Sequence, residues 1–486
     1  MVHALPRSIA GASLVLLALL PGCKKEPAAP PGPTVAEGSA EVGAGSAGPA
    51  ACAGAEREGG KLHWFVDDYG QALACAKAKG VPLVLDMWAP WCHTCLSMKA
   101  YVLTDERLAE FDRRFVFLAV DTDREANAPV VAKFPPAAWP TFFVVAPGDE
   151  SIQARFVGAA TLDQFVAFLG DGERAHQAGA GKPLAAHEAA ARDGDRLASS
   201  GDHAGAEAAY ARALAAAPPT WARRSDVLTA LLSSQARRGG HADCAATALA
   251  RDGEHARAAS QTDFFGVALG CADELGKDPT TTAQATAVRE RAVSRLSALA
   301  DDAAAPLSVD DRSDALMYLR TTLDQLGRAD QAKAAAVRQR ALLDQAAAAA
   351  TAPMVAMTYN WPRAEVYTYL GVGAELVAAL EKSAADLPTE YDPPYRLAWV
   401  LLKAGRAKDA VPWVQKAEAL AYGPRKARVH ALAADVHEAA GDREQARKCI
   451  HRQVEALTAL PSSAGNDAAI TKAKARAAAL EAPAAK

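Results

Sequence analysis

The stretch Leu85-Asp86-Met87-Trp88-Ala89-Pro90-Trp91-Cys92-His93-Thr94-Cys95 decides the reading of this 486-residue chain. Residues 81–88 are a short apolar run with β-branched character, which predicts a buried strand. A helical pattern runs from Leu96 to about Phe111. Cys92 and Cys95 thus stand between a strand and a helix, at a spacing that closes a small disulfide ring. At a helix start, unpaired N–H groups and the helix dipole favour a thiolate, so the first thiol's pKa falls. Cys92 is expected to be the exposed attacking cysteine, and Cys95, one turn deeper, the one that resolves the mixed disulfide. His93 adjoins Cys92 and stabilises its thiolate when protonated. A C-x-x-C is also half of many zinc sites, but zinc takes about four ligands. The chain has no second C-x-x-C and no paired-histidine motif, so neither metal nor cofactor is expected.

Outward from this stretch the order is helix, strand, helix, strand, helix, strand, strand, helix. The pattern places them at residues 69–79, 81–88, 96–111, 115–120, 129–134, 140–146, 153–157 and 162–169. Thr161 opens the last helix, with Gln164 at the capping-box position. A central mixed sheet flanked by helices, an α/β domain, fits that order.

The quoted stretch resembles the active-site pattern of the thioredoxin superfamily, with Trp88 four and Trp91 one position before the first cysteine. The resemblance implies that Asp86 is a buried acid handling the proton of the resolving cysteine. It implies that Trp139-Pro140-Thr141 is a cis-proline loop facing the dithiol and binding substrate backbone. Trp91 and His93 join that loop as expected substrate contacts, whereas Trp88 is expected to pack in the core. The Ala74-Cys75-Ala76-Lys77 and Cys95-Leu96-Ser97-Met98-Lys99 segments are most similar to the periplasmic thioredoxin-like domain of DsbD-type electron-transfer reductases. Two features depart from thioredoxin itself: His93-Thr94 replaces Gly-Pro, and Ala100 stands where a helix-kinking proline is usual.

The larger part of the chain is alanine-rich and helical. Glycine recurs after apolar helices at Gly201, Gly240, Gly276, Gly327, Gly371, Gly405 and Gly441, with gaps of 39, 36, 51, 44, 34 and 36. Gaps near 34 suggest tetratricopeptide-like units. Gly194, Ala206, Tyr210, Ala213 and Pro218 stand where such a repeat expects glycine, alanine, an aromatic, alanine and proline. The gaps of 51 and 44 mark insertions, one of them containing Asn360-Trp361-Pro362. A helical-repeat stack presents a groove that binds protein segments.

The N-terminus reads as an address. Residues 9–20 form a 12-residue apolar stretch, too short to span a membrane, ending in Leu20-Pro21-Gly22-Cys23. This resembles a bacterial lipobox, which implies that Cys23 is lipidated and becomes the mature N-terminus. Residues 1–22 are then a lipoprotein signal peptide and 23–60 a disordered Pro/Gly/Ala tether, with a reach of roughly 30–35 Å. The expected order continues with a thioredoxin-like domain at 61–170 and a linker at 171–184. A tetratricopeptide-like domain at 185–460 and a tail at 461–486 follow.

Composition narrows the function. A net charge of −4 argues against nucleic acid as a partner. Eight cysteines are too few for a disulfide-stapled scaffold of this length. Beyond Cys23 and the dithiol, Cys52, Cys75, Cys244, Cys271 and Cys449 are an odd set, so at least one is free or pairs elsewhere. Cys52 with Cys75, and Cys244 with Cys271, are conceivable pairs.

The expectation is a thiol–disulfide oxidoreductase of the bacterial cell envelope, facing the periplasm and touching the membrane only through its lipid. Its partners are disulfide-bearing clients, a dithiol electron donor and protein segments in the repeat groove. The alternative is an envelope binding scaffold whose thioredoxin-like domain serves docking or redox sensing.

Overall fold

The computed structural model describes residues 52–57, 60–179, 181–460 and 466–481. The expected signal peptide, Cys23 and most of the expected tether lie outside them. Six strands form one mixed sheet in the order β1-β2-β4-β3-β5-β6. They are β1 (Glu56–Arg57), β2 (His63–Val66), β3 (Leu83–Trp88), β4 (Val116–Asp121), β5 (Thr141–Val145) and β6 (Ile152–Val157). β3 runs parallel to β4 and antiparallel to β5, with Asp86 opposite Ala119 and Phe142. β3 and β4 are buried along almost their whole length, which explains their continuous apolar runs. Alternation along β3 sends Leu83, Leu85 and Met87 into one core and Val84 and Trp88 into the other.

Helices α1 (Tyr69–Lys79), α2 (His93–Ser97), α3 (Ala128–Lys133) and α4 (Leu162–Ala178) flank the sheet. Asp68 caps α1 by accepting from the Gln71 N–H, and Gly80, with φ +65°, ends it. The capping box of Thr161 and Gln164 opens α4 as expected.

Four segments differ from the sequence reading. The expected helix at 96–111 is instead α2, a π-type turn at Met98–Val102 and a 3-10 turn at Glu106–Phe111. The expected linker at 171–184 is helical as far as Ala178, because the apolar face of α4 continues through Phe168, Leu169 and Ala175. Gly172, which reads as a breaker, lets α4 touch the sheet: a Cβ there would stand 2.5 Å from Val144. The tether's described end is held, by a Cys52–Cys75 disulfide and by pairing of β1 with β2. In the expected tail, helix α20 (Asp467–Glu481) buries Ala473 and Ala477, and Arg476 pairs with Asp435 and Glu438.

Beyond the sheet the described chain is all helical. Helices α5 (Ala186–Ser199), α6 (His203–Ala216), α7 (Arg224–Arg237), α8 (His241–Arg251), α9 (Ala259–Leu275) and α10 (Thr282–Asp301) come first. Then follow α11 (Val309–Gln325), α12 (Ala329–Ala349), α13 (Pro353–Met357), α14 (Asn360–Tyr369) and α15 (Val377–Asp386). Helices α16 (Asp392–Lys403), α17 (Ala407–Leu420), α18 (Arg425–Ala439) and α19 (Arg443–Thr458) lead to α20.

Consecutive helices pack as pairs, most extensively α5 with α6, α11 with α12, α16 with α17 and α18 with α19. Gly194 faces the Tyr210 ring at a distance that leaves no room for a Cβ, which lets α5 and α6 approach closely. Tyr210 donates from its hydroxyl to buried Asp195 at 2.8 Å. The insertion before Gly371 contains α13, which packs against α2 of the α/β domain. A Cys244–Cys271 disulfide clips α8 to α9, and Cys449 is free and buried. No described helix is long and apolar enough to cross a membrane.

Candidate active site

The site begins where β3 ends. Ala89 and Pro90 are buried, and Cys92 is the N-cap of α2 in extended conformation. The backbone N–H of Cys95 donates to Cys92 Sγ at 3.0 Å. A donor aimed at that sulfur favours its thiolate once the dithiol is reduced. In the structure Cys92 and Cys95 are disulfide-bonded, with Cα atoms 5.2 Å apart. α2 is too short for the full helix dipole expected from sequence, so this direct contact is the firmer local stabiliser.

The Trp139–Pro140 peptide is cis, as expected. The Trp139 and Trp91 rings meet edge to face at 5.3 Å, and both pack with Trp88 against the Cys92–Cys95 pair. Trp139 donates from its indole to Thr122 at 2.8 Å, which fixes the proline loop beside the end of β4. Thr141 is fully buried and its hydroxyl donates to the Ala138 carbonyl, so its side chain turns away from any client. Trp88 is half-buried, with the Lys99 ammonium 3.3 Å over its ring.

Asp86 is buried. It lines a cavity of about 40 Å³ with Trp64, Lys99, Leu103, Thr104 and Ala119. Neither cysteine is among the residues lining that cavity.

The expectation of an exposed Cys92 is corrected. Cys92 is 4% exposed because two parts of the helical array lie over the dithiol face. One is the start of α11. Its Ser308 hydroxyl meets that of Ser97 at 3.1 Å, and both Asp310 carboxylate oxygens meet His93 Nδ1, at 2.9 and 3.0 Å. Burial disfavours the charged imidazole, but Asp310 and Asp314 outweigh it, and His93 is pushed up to about 9.

The other is the α17–α18 turn. The Arg425 guanidinium lies 3.4 Å over the Trp91 ring. Asp123 accepts from the Trp91 indole at 2.8 Å and stands 3.6 Å from Arg425. Burial, opposed by Arg425, pushes the Asp123 carboxyl up to about 6. Tyr422 donates to Asp121 at 2.6 Å.

Sequence reasoning missed Asp123, Asp310, Asp314, Tyr422 and Arg425. The acids at 310, 311 and 314 fall in the first turns of α11, and nothing in the local sequence ties them to a dithiol more than 200 positions earlier. Asp121 and Asp123 did carry a signal, being acids at the end of a buried strand beside the motif.

Strand, dithiol, helix and cis-proline loop in this arrangement define a thioredoxin-like domain. Residues 64–147 match the family model described as thioredoxin-like. The chain is similar to thiol:disulfide interchange protein DsbD of Salmonella typhi, 33% identical over 109 residues, 22% of this chain and 19% of that protein. The DsbD of Yersinia enterocolitica serotype O:8 is 31% identical over 99 residues, 20% of this chain and 17% of that protein. The chain therefore spans about a fifth of the length of these relatives.

Among solved structures, a tetratricopeptide repeat protein from Parabacteroides merdae ATCC 43184 covers 59% of this chain and 97% of its own. Its identity is 14% and its TM-score 0.39. A crystal form of MamA AMB-1 covers 37% of this chain and 94% of its own, at 20% identity and TM-score 0.23.

Proposed function

We propose that the protein is a thiol–disulfide oxidoreductase of the bacterial cell envelope, lipid-anchored through Cys23, whose helical repeats recruit protein partners. The observation that carries this reading is the Cys92–Cys95 disulfide at a strand–helix junction, packed against the cis Trp139–Pro140 loop. In the reducing direction, the Cys92 thiolate attacks a client disulfide. The client S–S bond breaks, one client sulfur leaves as thiolate, and a mixed disulfide forms. The Cys95 thiolate then attacks Cys92 Sγ and frees the second client sulfur. The client gains two electrons and two protons, and an external dithiol donor restores Cys92 and Cys95. Asp86 handles the Cys95 proton, and Trp91, His93, Trp139 and the Pro140–Thr141 backbone hold the client chain.

The test is reduction of insulin disulfides by the full mature chain with dithiothreitol. Wild type is expected to accelerate it and Cys92→Ser to lose at least ~99% of that rate; an unchanged rate sinks the reading. Equilibration with glutathione fixes the direction: about −270 mV indicates a reductase, and about −180 mV or above an oxidase or isomerase. The second reading, a binding scaffold with a redox-sensing module, is favoured by the burial of Cys92 beneath the array. It predicts a dithiol that titrates with glutathione but does not turn over insulin.

A further inference from the structure

The helical array contributes a charged group to the dithiol motif. His93 occupies the first helical position after Cys92, and its Nδ1 meets both carboxylate oxygens of Asp310, more than 200 residues later. The Asp310 side chain is fully buried, and that of His93 is 20% exposed. A buried carboxylate is costly unless paired, so Asp310 favours the charged imidazolium over the neutral Nδ1–H tautomer, which also donates to it.

We infer that Asp310 is a positioning residue for the redox reaction: it holds His93 as an imidazolium beside Cys92 and thereby biases the reduced dithiol toward the Cys92 thiolate. The inference rests on the oxidoreductase reading and adds to it a group outside the thioredoxin-like domain. The groups facing His93 are Asp310 and Asp314 of α11, with Asp311 beside them, and Arg396 of α16. Asp314 is itself raised, mainly by burial, and Asp310 is the acid in hydrogen-bond contact with His93. Arg396 opposes the imidazolium and sits in its own ion pair with Asp392, at 2.9 Å.

The sign follows from which redox state feels the charge. An imidazolium stabilises a thiolate and does little for a disulfide. It therefore favours the reduced form, lowers the Cys92 pKa and raises the reduction potential. Replacing Asp310 by neutral asparagine keeps the shape and removes the charge.

The experiment uses the full mature chain in buffer containing EDTA. Thiolate absorbance near 240 nm is titrated for the reduced protein. The dithiol is also equilibrated against glutathione, where two glutathione thiols reduce one protein disulfide and become one glutathione disulfide. Asp310→Asn is expected to raise the Cys92 pKa by about one unit. It should also make the dithiol about tenfold harder to reduce, equivalent to about 30 mV. Asp310→Glu is expected to restore at least about half of each shift, and Asp310→Asn in a His93→Gln background to add nothing.

Denaturant midpoints identify variants that have lost the fold, and Asp310→Glu then decides the matter by recovering at least about half of each shift. An Asp310→Asn protein that titrates like wild type overturns the inference alone, as does an equal shift in the His93→Gln background. A wild-type disulfide that no glutathione ratio reduces overturns both the inference and the oxidoreductase reading.

Discussion

At the scale of single residues, Gly423 marks a tight approach between the α/β domain and the array. Its φ is +51°, and a Cβ there would stand 1.7 Å from the Asp123 carbonyl oxygen. No side chain fits without moving backbone, and the positive φ adds strain for any residue with a Cβ. Gly423→Ala is expected to cost about 1–3 kcal/mol, read as a lower denaturant midpoint. By displacing Arg425 from Trp91 it should also speed alkylation of reduced Cys92; if neither quantity changes, this contact does not form in solution. Gly423 was invisible in the sequence because its constraint comes from a backbone 300 positions earlier. The dithiol was legible for the opposite reason. Cys92, His93 and Cys95 share one turn, and local spacing carries local chemistry.

At the scale of elements, patterning worked where a run was long and uniformly buried. β3 and β4 read as strands because both faces of the sheet are covered. β1 and β2, of two and four residues, left too little pattern to read. α4 was cut short in the reading because Gly170, Gly172 and Gly179 resemble a linker, whereas Gly172 serves contact with Val144. The glycine rhythm of the array located its turns: Gly201, Gly327, Gly371, Gly405 and Gly441 all have positive φ, whereas Gly239 takes that role beside Gly240. Within the array, the Cys244–Cys271 disulfide closes a loop with a separation of 27 residues. Replacing both cysteines with alanine is expected to destabilise the helical region by about 2–4 kcal/mol. The denaturant midpoint should fall accordingly, and an unchanged midpoint would mean the clip contributes nothing.

At the scale of the whole molecule, buried ion pairs tie the sheet to the helices. Arg223 is almost fully buried and binds Asp226 at 2.8 Å, with Asp195 at 3.7 Å and Asp171 at 4.0 Å. It also donates to the Arg155 carbonyl on β6 at 2.9 Å. One guanidinium thereby joins α4, α5, α7 and the sheet edge. Burial, opposed by Arg223, still pushes the Asp226 carboxyl up to about 7, so this carboxylate depends on its partner. Arg223→Ala is expected to cost about 3–5 kcal/mol, because buried Asp226 and Asp195 lose the guanidinium beside them, whereas Asp171 keeps Arg174. Thermal unfolding should then begin at the junction, detected as faster proteolysis between α4 and α7; wild-type proteolysis would contradict this role.

The odd cysteine has a consequence for the molecule's chemical visibility. Cys449 is fully enclosed, and burial raises its thiol above the ordinary range. The other six described cysteines are paired. Among the described residues, then, the oxidised folded protein offers no sulfhydryl to a reagent in water. Any that emerges under gentle reductant belongs to the least protected bond, so the count of titratable thiols, two for each bridge, becomes a direct gauge of how many of the three bridges have opened.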